Sequence, residues 1–141
     1  MTEFELFIGG EPVAQGRPRF STKDGIFRTI DPKESREFKQ VIQKMAREKM
    51  IGEPQMEGPL CLYLKVYRVP AKSWAKGKRR SAIENHEGIQ SKPDLDNYIK
   101  LVLDAINGVV FNDDSAIVRI CASKRWAESP GMKIRITEDK V

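Results

Sequence analysis

The chain has 141 residues, about the length of one domain and enough to bury a core. Hydrophobic residues make up 40% and charged residues 32%, which excludes a disordered or membrane-embedded chain. With 25 Lys and Arg against 20 Asp and Glu, the net charge of +5 favours a polyanionic partner such as nucleic acid.

Cysteine usage and the first residues favour the cytoplasm. Cys61 and Cys121 are far apart and no His residues cluster, so we predict neither a disulfide framework nor a structural zinc site. Both cysteines are expected to be small buried residues. No apolar run approaches the roughly 18 residues of a membrane span, and the first residues lack the pattern of a secretion signal. We expect a protein of the reducing cytoplasm with no membrane partner.

The N-terminal part of the chain predicts a strand and then a short hairpin. Residues 3–8 (EFELFI) place apolar side chains at every second position, the period of a strand with one buried face. The Asp-Gly step at residues 24–25 favours a turn between residues 19–20 and 26–27. We expect these two segments to pair.

A helix is predicted to begin at Asp31. Asp31 would cap it, Pro32 would take the first helical position, and Glu34 stands where a capping box requires an acid. The apolar residues that follow have helical spacing and predict a buried stripe, with the basic residues facing solvent. The stripe is Phe38, Val41, Ile42 and Met45, and the basic residues are Lys33, Arg36, Lys39, Lys44 and Arg47.

The middle of the chain predicts a strand, a long loop and a second helix. Residues 60–69 are rich in strand formers. Periodicity then disappears, and we expect a mobile basic loop over about residues 70–92, because ordinary connections have a median of about 4 to 6 residues. The second helix is predicted from Leu95 to Asn107, before Gly108, with a core face of Leu95, Ile99, Val102, Leu103 and Ile106.

The C-terminal part predicts three more strands, at residues 109–111, 116–126 and 132–137. The last two are separated by a Ser-Pro-Gly turn and are expected to form an antiparallel hairpin. Strands and helices alternate irregularly along the chain. We therefore predict an α+β fold with a mixed sheet and two main helices, in a single domain of residues 1–141.

Two acids stand at the start of the second predicted helix. Asp94 and Asp96 would diverge by about 200° if both were helical. Pro93 allows Asp94 to lie at or before the cap, so the two carboxylates can converge. The helix N-terminus favours their ionised form, which a divalent cation such as Mg²⁺ requires. Alternatively, both acids are ordinary capping residues.

Other polar residues extend this acidic pair. Lys100 lies one turn beyond Asp96, about 6 Å along the axis, and can reach the same metal or a phosphate, or else pair with Asp96. Asp104 is about 12 Å from Asp96 along the axis, too far to share the first coordination shell. Residues 112–115 (NDDS) lie between two predicted strands, and their alternative role is a polar turn.

Three segments, taken in order and spacing, resemble the RusA-type Holliday junction resolvases, endonucleases of phages and prophages. They are residues 92–100 (KPDLDNYIK), 103–108 (LDAING) and 113–117 (DDSAI), and residues 15–20 (QGRPRF) also resemble the N-terminal region of the family. The resemblance implies catalytic roles for Asp94, Asp96, Lys100 and Asp114, with the three acids as metal ligands and Asp113 as a further family acid.

The resemblance also implies a homodimer that binds a four-way DNA junction. With Mg²⁺, or Mn²⁺ as a substitute, it would cut opposed strands in recombination and repair and leave 5′-phosphates. The residues are compatible with this chemistry, because metal-bound carboxylates can activate a water and Lys100 can stabilise the charge that develops on phosphorus.

Basic residues outside the acidic segments are candidates for DNA contacts. We expect phosphate contacts from the basic loop and flanking segments, and stacking of Trp74 on an unpaired base. Alternatively the loop is a solvated surface that Trp74 docks, and His86 is expected to be a solvated loop residue. Two other functions stay open: a less selective nuclease on the same scaffold, or a DNA-binding protein without activity. The phosphate-contact candidates are Arg17, Arg19, Arg28, Lys72, Lys76, Lys78, Arg79, Arg80, Lys124 and Arg125.

Overall fold

A computed structural model of the protein describes residues 1–22 and 25–140. The described strands are β1 (Glu3–Gly9), β2 (Arg19–Ser21), β3 (Arg28–Ile30), β4 (Leu60–Arg68), β5 (Ile117–Trp126) and β6 (Gly131–Glu138). The described helices are α1 (Lys33–Lys49), α2 (Lys76–Glu84) and α3 (Leu95–Ile106), and a short 3-10 helix, Asp114–Ala116, precedes β5. No helix in this part of the chain has the length and apolar character needed to cross a membrane.

Four strands form one mixed sheet in the order β1-β6-β4-β5. β6 is antiparallel to both of its neighbours, whereas β4 and β5 are parallel. The predicted hairpin between residues 116–126 and 132–137 is therefore wrong, because β4 lies between these two strands. Leu62, Leu64 and Val66 of β4 are buried, which explains why this strand takes an inner position in the sheet.

The core lies between this sheet and the two long helices. α1 contacts β1 and α3 contacts β5, so the helices lie side by side over one sheet face. Strands β1, β4 and β6 each contribute one row of buried apolar side chains. The helices contribute Ile42, Ala46, Leu101 and Ala105. The predicted α+β class with a mixed sheet is confirmed.

The N-terminal segments differ from the prediction in detail. β2 pairs with β3 at Arg28–Ile30 rather than with residues 26–27. The predicted turn falls on Lys23 and Asp24, which lie outside the described residues. Residues 109–111 form no strand: Val109 and Val110 donate backbone hydrogen bonds to the last turn of α3, so the chain turns there before it can extend.

The start of α1 is not capped as predicted. Pro32 occupies the N-cap position, with no side-chain cap. Asp31 instead accepts a hydrogen bond from Lys39 Nζ at 2.8 Å, and the same ammonium lies 3.4 Å from Asp104. The Lys39 side chain is only 15% exposed, so it does not face solvent as expected. Val41 is exposed, because the buried stripe of α1 is centred on Ile42 and Ala46.

The expected loop over residues 70–92 contains α2. A separate small cluster docks this helix on the end of β5, where Ala82 and Ile89 are buried against Trp126 and the half-buried Trp74. The two indole rings meet edge to face, with centroids 5.1 Å apart. Sequence periodicity missed α2 because only a few apolar side chains attach this otherwise charged helix to the protein.

α3 begins and ends close to the prediction, but its buried face is rotated. The fully buried residues include Tyr98, Leu101 and Ala105. Three predicted core residues, Leu95, Ile99 and Leu103, are only half-buried. At about 100° per residue they lie on the flank of α3 opposite Asp104, which faces α1.

Tyr98 brings a polar atom into this core. Its hydroxyl is buried and has no hydrogen-bond partner among the described residues. Burial raises the pKa of Tyr98, and the nearby positive charge of Arg68 opposes that rise more weakly. A buried hydroxyl without a partner lowers the stability of the folded state.

We expect Tyr98→Phe to raise the free energy of unfolding by about 1 kcal/mol at neutral pH, because it removes this unpaired hydroxyl. In the unfolded chain Tyr98 loses its proton near its ordinary pKa of 10.0, whereas the folded chain keeps that proton to higher pH. Stability therefore falls as pH rises above about 10, and the variant should lose less. Urea unfolding at neutral and alkaline pH measures both effects. Tyr63→Phe, at a half-exposed site, is the control, and equal behaviour of the two variants would contradict the prediction.

Candidate active site

The start of α3 presents two exposed carboxylates that have no hydrogen-bond or ion-pair partner among the described residues. Asp94 is the N-cap residue, with an extended backbone (φ −66°, ψ 146°), and Asp96 lies in the first turn. The expected position of Asp94 outside the regular helix is confirmed. Both side chains are exposed, and Asp94 makes no side-chain capping hydrogen bond. The alternative of an ordinary capping role for Asp94 is therefore not supported.

The segment at residues 14–18 is wedged between the starts of α1 and α3. Gln15 N donates to the carbonyl of Asn97 at 2.9 Å. The buried Ser35 hydroxyl accepts from Gly16 N at 2.9 Å and donates to the carbonyl of Ala14 at 3.1 Å. A β-carbon on Gly16 would lie 2.8 Å from a ring carbon of Pro32, so only glycine fits here without displacement.

Two adjoining cavities form a groove along this segment. One, of about 480 Å³, contains Lys92, Pro93 and Asp94 in its wall, and the other, of about 370 Å³, contains Lys100 and Asp104. The cavities meet because the same residues line both of them. These shared residues are Gln15, Gly16, Arg17 and Asn97.

The groove therefore passes over Asn97 between Asp94 and Lys100. Asn97 stands inside the acidic motif, yet its sequence context gave no sign that it lines both cavities. Arg17, a predicted phosphate contact, is exposed and lines both cavities, so this residue lies at the groove. Asp104 is paired with Lys39, in agreement with its exclusion from a shared coordination shell.

Lys124 does not lie free on the surface as expected of a phosphate contact. Its Nζ donates to the carbonyls of Ser91 at 2.8 Å and Pro93 at 2.9 Å. Arg68, which the sequence analysis did not single out, donates from Nη1 to the carbonyl of Lys92 at 3.2 Å. The segment directly before Asp94 is thus bound by two cations from the sheet.

The second acidic segment lies at the other end of β5. Asp113 caps the 3-10 helix by accepting from Ser115 N at 3.2 Å, and hydrogen bonds from Ser115, first from its side chain, lower the pKa of Asp113. Asp114 is exposed. A strand advances about 3.3 Å per residue, so Ile117 and Lys124 stand roughly 23 Å apart.

Asp114 precedes Ile117, whereas Asp94 follows the carbonyl that Lys124 binds, so the two acids lie at opposite ends of β5. Across residues 1–22 and 25–140, no three His, Cys, Asp or Glu side chains are grouped to hold a metal ion. A single chain therefore does not gather the three predicted ligands.

The other predicted DNA contacts lie on α2 and just before it, on β2 and β3, and near the end of β5. Trp74 packs on Trp126 and lies under Lys78 Nζ, 4.2 Å from the ring centroid, so its ring docks α2 rather than standing free to stack on a base. Arg125 donates to the carbonyl of the exposed His86 at 3.3 Å. Cys121 is exposed on β5 rather than buried. The exposed cations are Arg28, Lys72, Lys76, Lys78 and Arg80, Arg79 is half-buried, and the Arg19 side chain lies outside the described part.

Comparison with known proteins defines the class of this protein. A family model described as Endodeoxyribonuclease RusA matches residues 9–137. The chain is also 39% identical over 134 residues to the uncharacterized protein YqaN of Bacillus subtilis (strain 168), a match that covers 93% of each chain. The family match places the protein among the endodeoxyribonucleases.

More narrowly, the chain belongs to the RusA family, and the resemblance of its acidic segments to that family is confirmed. Membership implies endonuclease activity of the Holliday junction resolvase type and binding of branched DNA. The matched residues include the groove, the start of α3 and both acidic segments. The free carboxylates and the groove thus lie in the part of the chain that defines the family.

We expect Ser35→Ala to lower the free energy of unfolding by about 1 to 3 kcal/mol, because Gly16 N and the Ala14 carbonyl both lose their partner. The backbone at Gly16, which lines the groove, should become more mobile as well. Urea denaturation measures the first effect, and hydrogen exchange of the Gly16 amide measures the second. Ser81→Ala, at an exposed serine of α2, should change stability by less than about 0.5 kcal/mol. Unchanged protection of Gly16 in Ser35→Ala would contradict this account of the groove.

Proposed function

We propose that this protein is a cytoplasmic, Mg²⁺-dependent endonuclease that resolves Holliday junctions in DNA recombination and repair. It hydrolyses one phosphodiester bond in each of two opposed strands and leaves 5′-phosphates. The observation that carries the proposal is the pair of free carboxylates at the start of α3, beside a groove that continues to Lys100, in a chain of the RusA family.

The donor set fits a hard divalent cation. Asp94 and Asp96 offer carboxylate oxygens, the ligands that Mg²⁺ and Mn²⁺ take, and Asp114 is the proposed third ligand. When bound, the cation supplies Lewis acidity and lowers the pKa of a water. The two aspartates at the start of α3 are exposed and make no competing ion pair among the described residues, so they are available as ligands.

Lys100 and Arg17 act on the phosphate. Lys100 lies on the polar side of α3, one turn beyond Asp96, so its ammonium can approach a phosphate held near the carboxylates. A cation fixed there stabilises the negative charge that develops as the phosphodiester is attacked. Arg17 lines both parts of the groove and can hold the backbone of the same strand. Exposed cations on α2 and β3 extend the contact with DNA.

A second copy of the chain can supply the missing acid. Asp114 lies at the end of β5 opposite Asp94, so the third ligand must come from another chain or through a large rearrangement. A homodimer in which two β5 strands run antiparallel would place the start of one strand beside the end of the other. Asp114 of one protomer would then approach Asp94 and Asp96 of its partner.

The free edge of β5 fits such pairing. Residues 87–89 cover only its last part, through hydrogen bonds at Lys124 and Trp126, so that on the side away from β4 residues 117–123 have no neighbouring strand among the described ones. Val118 and Ile120 on this edge are 58% and 43% exposed. An unpaired apolar strand edge is a ready site for a second strand.

The half-buried flank of α3 continues this apolar edge. Ile99 and Leu103 lie on the side of the helix turned away from α1, above β5, and both are only partly covered by the core. We infer that, with Val118 and Ile120, they form one partly exposed apolar strip beside the free edge of β5. Burial of such a strip favours a stable contact between two copies.

We expect wild-type protein to make paired nicks in a synthetic four-way junction with Mg²⁺, and Asp94→Asn to reduce the rate by at least about 10²-fold, because it removes a charged ligand. Denaturing gels of labelled strands measure the rate. Glu37→Gln, which changes an exposed carboxylate on α1, should leave the rate unchanged. Equal cutting of simple duplex by wild type would contradict junction resolution, and an unchanged rate in Asp94→Asn would contradict the proposed ligand.

We expect Ile120→Lys to convert the dimer to a monomer and to abolish cleavage, because it introduces a charge into the apolar edge. Sedimentation velocity measures the first effect and the junction assay the second. Ile51→Lys is the matched control, since Ile51 is 79% exposed just after α1 and away from this edge. A dimer that persists in Ile120→Lys would contradict pairing through β5.

Mixed dimers test whether two chains share each site. When Asp94→Asn and Asp114→Asn chains combine, one site carries both changes and the other carries neither. Each mixed dimer should therefore nick a junction, although each variant alone is inactive. Absence of nicking by isolated mixed dimers would show that each chain supplies its own three acids.

A further inference from the structure

Two cations of the sheet bind the three backbone carbonyls before Asp94. Lys124 Nζ donates to Ser91 O at 2.8 Å and to Pro93 O at 2.9 Å. Arg68 Nη1 donates to Lys92 O at 3.2 Å, and its Nε donates to Glu11 at 3.1 Å. All three carbonyls thus have a charged donor, and charge-assisted hydrogen bonds are stronger than neutral ones.

The two cations stand on paired strands of the main sheet. Arg68 ends β4, and Lys124 lies near the end of β5, which pairs with β4 in parallel. The Lys124 carbonyl accepts from Ile89 N at 3.0 Å, and the Arg68 carbonyl accepts from Ala127 N at 2.9 Å. The backbone of each residue is therefore fixed independently of the bonds that its side chain makes.

The segment that they bind has little other support. Residues 91–93 belong to no helix or strand, and Asp94 lacks a side-chain capping bond. On its C-terminal side Asp94 is held by α3, where Asn97 N donates to the Asp94 carbonyl at 3.1 Å. On its N-terminal side the hydrogen bonds from Lys124 and Arg68 provide the restraint.

We propose that Lys124 and Arg68 are positioning residues, which fix the Asp94 carboxylate relative to Asp96 and so set the affinity of the pair for a divalent cation. This inference rests on the proposed metal-dependent function. Removal of either cation frees the carbonyls before Asp94, and a displacement of about 1 Å at a catalytic centre can cost about 10²-fold in rate. The geometry assigns Lys124 to the protein backbone rather than to a DNA phosphate.

The test compares Lys124→Met with Lys65→Met, which removes an exposed lysine from the neighbouring strand β4. Binding of Mn²⁺ to the DNA-free protein, followed by electron paramagnetic resonance, should weaken by about tenfold or more in Lys124→Met, the effect typical of residues that orient metal ligands. Amide hydrogen exchange in residues 91–97 should become faster. The Lys65→Met control should match wild type in both measurements.

Junction binding in EDTA separates positioning from phosphate contact. Lys124→Met should keep the wild-type affinity and salt dependence, because its ammonium does not touch DNA. A phosphate contact would instead weaken binding and reduce the salt slope by about 1, and that result would overturn the proposal. Unchanged Mn²⁺ affinity would overturn it as well.

Two further variants keep the test decisive if Lys124→Met unfolds. Lys124→Arg retains two or more donors and should recover Mn²⁺ affinity in part, whereas Arg68→Met frees one carbonyl and should show a weaker loss. Wild-type Mn²⁺ affinity in Arg68→Met together with no recovery in Lys124→Arg would contradict the proposal. If wild-type protein binds Mn²⁺ but cuts no junction, the proposed activity fails while the positioning role is still measured.

Discussion

The parallel pairing of β4 and β5 is the constraint from which the site follows. Parallel neighbours cannot be joined by a tight turn, so the chain must cross from the end of β4 back to the start of β5. That crossover contains α2, α3 and both acidic segments. The same pairing brings the ends of β4 and β5 together, and with them Arg68 and Lys124, at the point where the crossover enters α3.

The direction of the crossover also explains why the acids are separated. α3 begins beside the end of β5 and returns the chain to the start of that strand, so it runs opposite to both parallel strands. An acid before α3 and an acid before β5 must then lie at opposite ends of the sheet edge. The spacing of Asp94 and Asp114 along the chain resembles the family pattern, yet that spacing carries no information on where the two acids lie relative to each other in the fold.

The sequence correctly predicted those elements that depend only on their own residues and on immediate neighbours in the chain. α3 has strong helical spacing, and Pro93 indicated that Asp94 stands outside it. Features that depend on distant residues were predicted wrongly. The Ser-Pro-Gly turn before β6 suggested a hairpin of β5 and β6, because no residue near that turn indicates that β4 lies between the two strands. Lys124 resembled a solvent-facing cation because its acceptors lie some thirty positions earlier in the chain. α2 was missed because its few apolar contacts are hidden among charges.

The docking of α2 has a consequence for spectroscopy. Both tryptophans of the chain, Trp74 and Trp126, belong to the small cluster under α2, whereas the buried aromatic residues of the main core are Phe4, Tyr98 and Phe111. Tryptophan fluorescence therefore reports the attachment of α2 to the end of the sheet, and circular dichroism reports the whole fold. If α2 detaches before the core unfolds, the two signals will change at different denaturant concentrations.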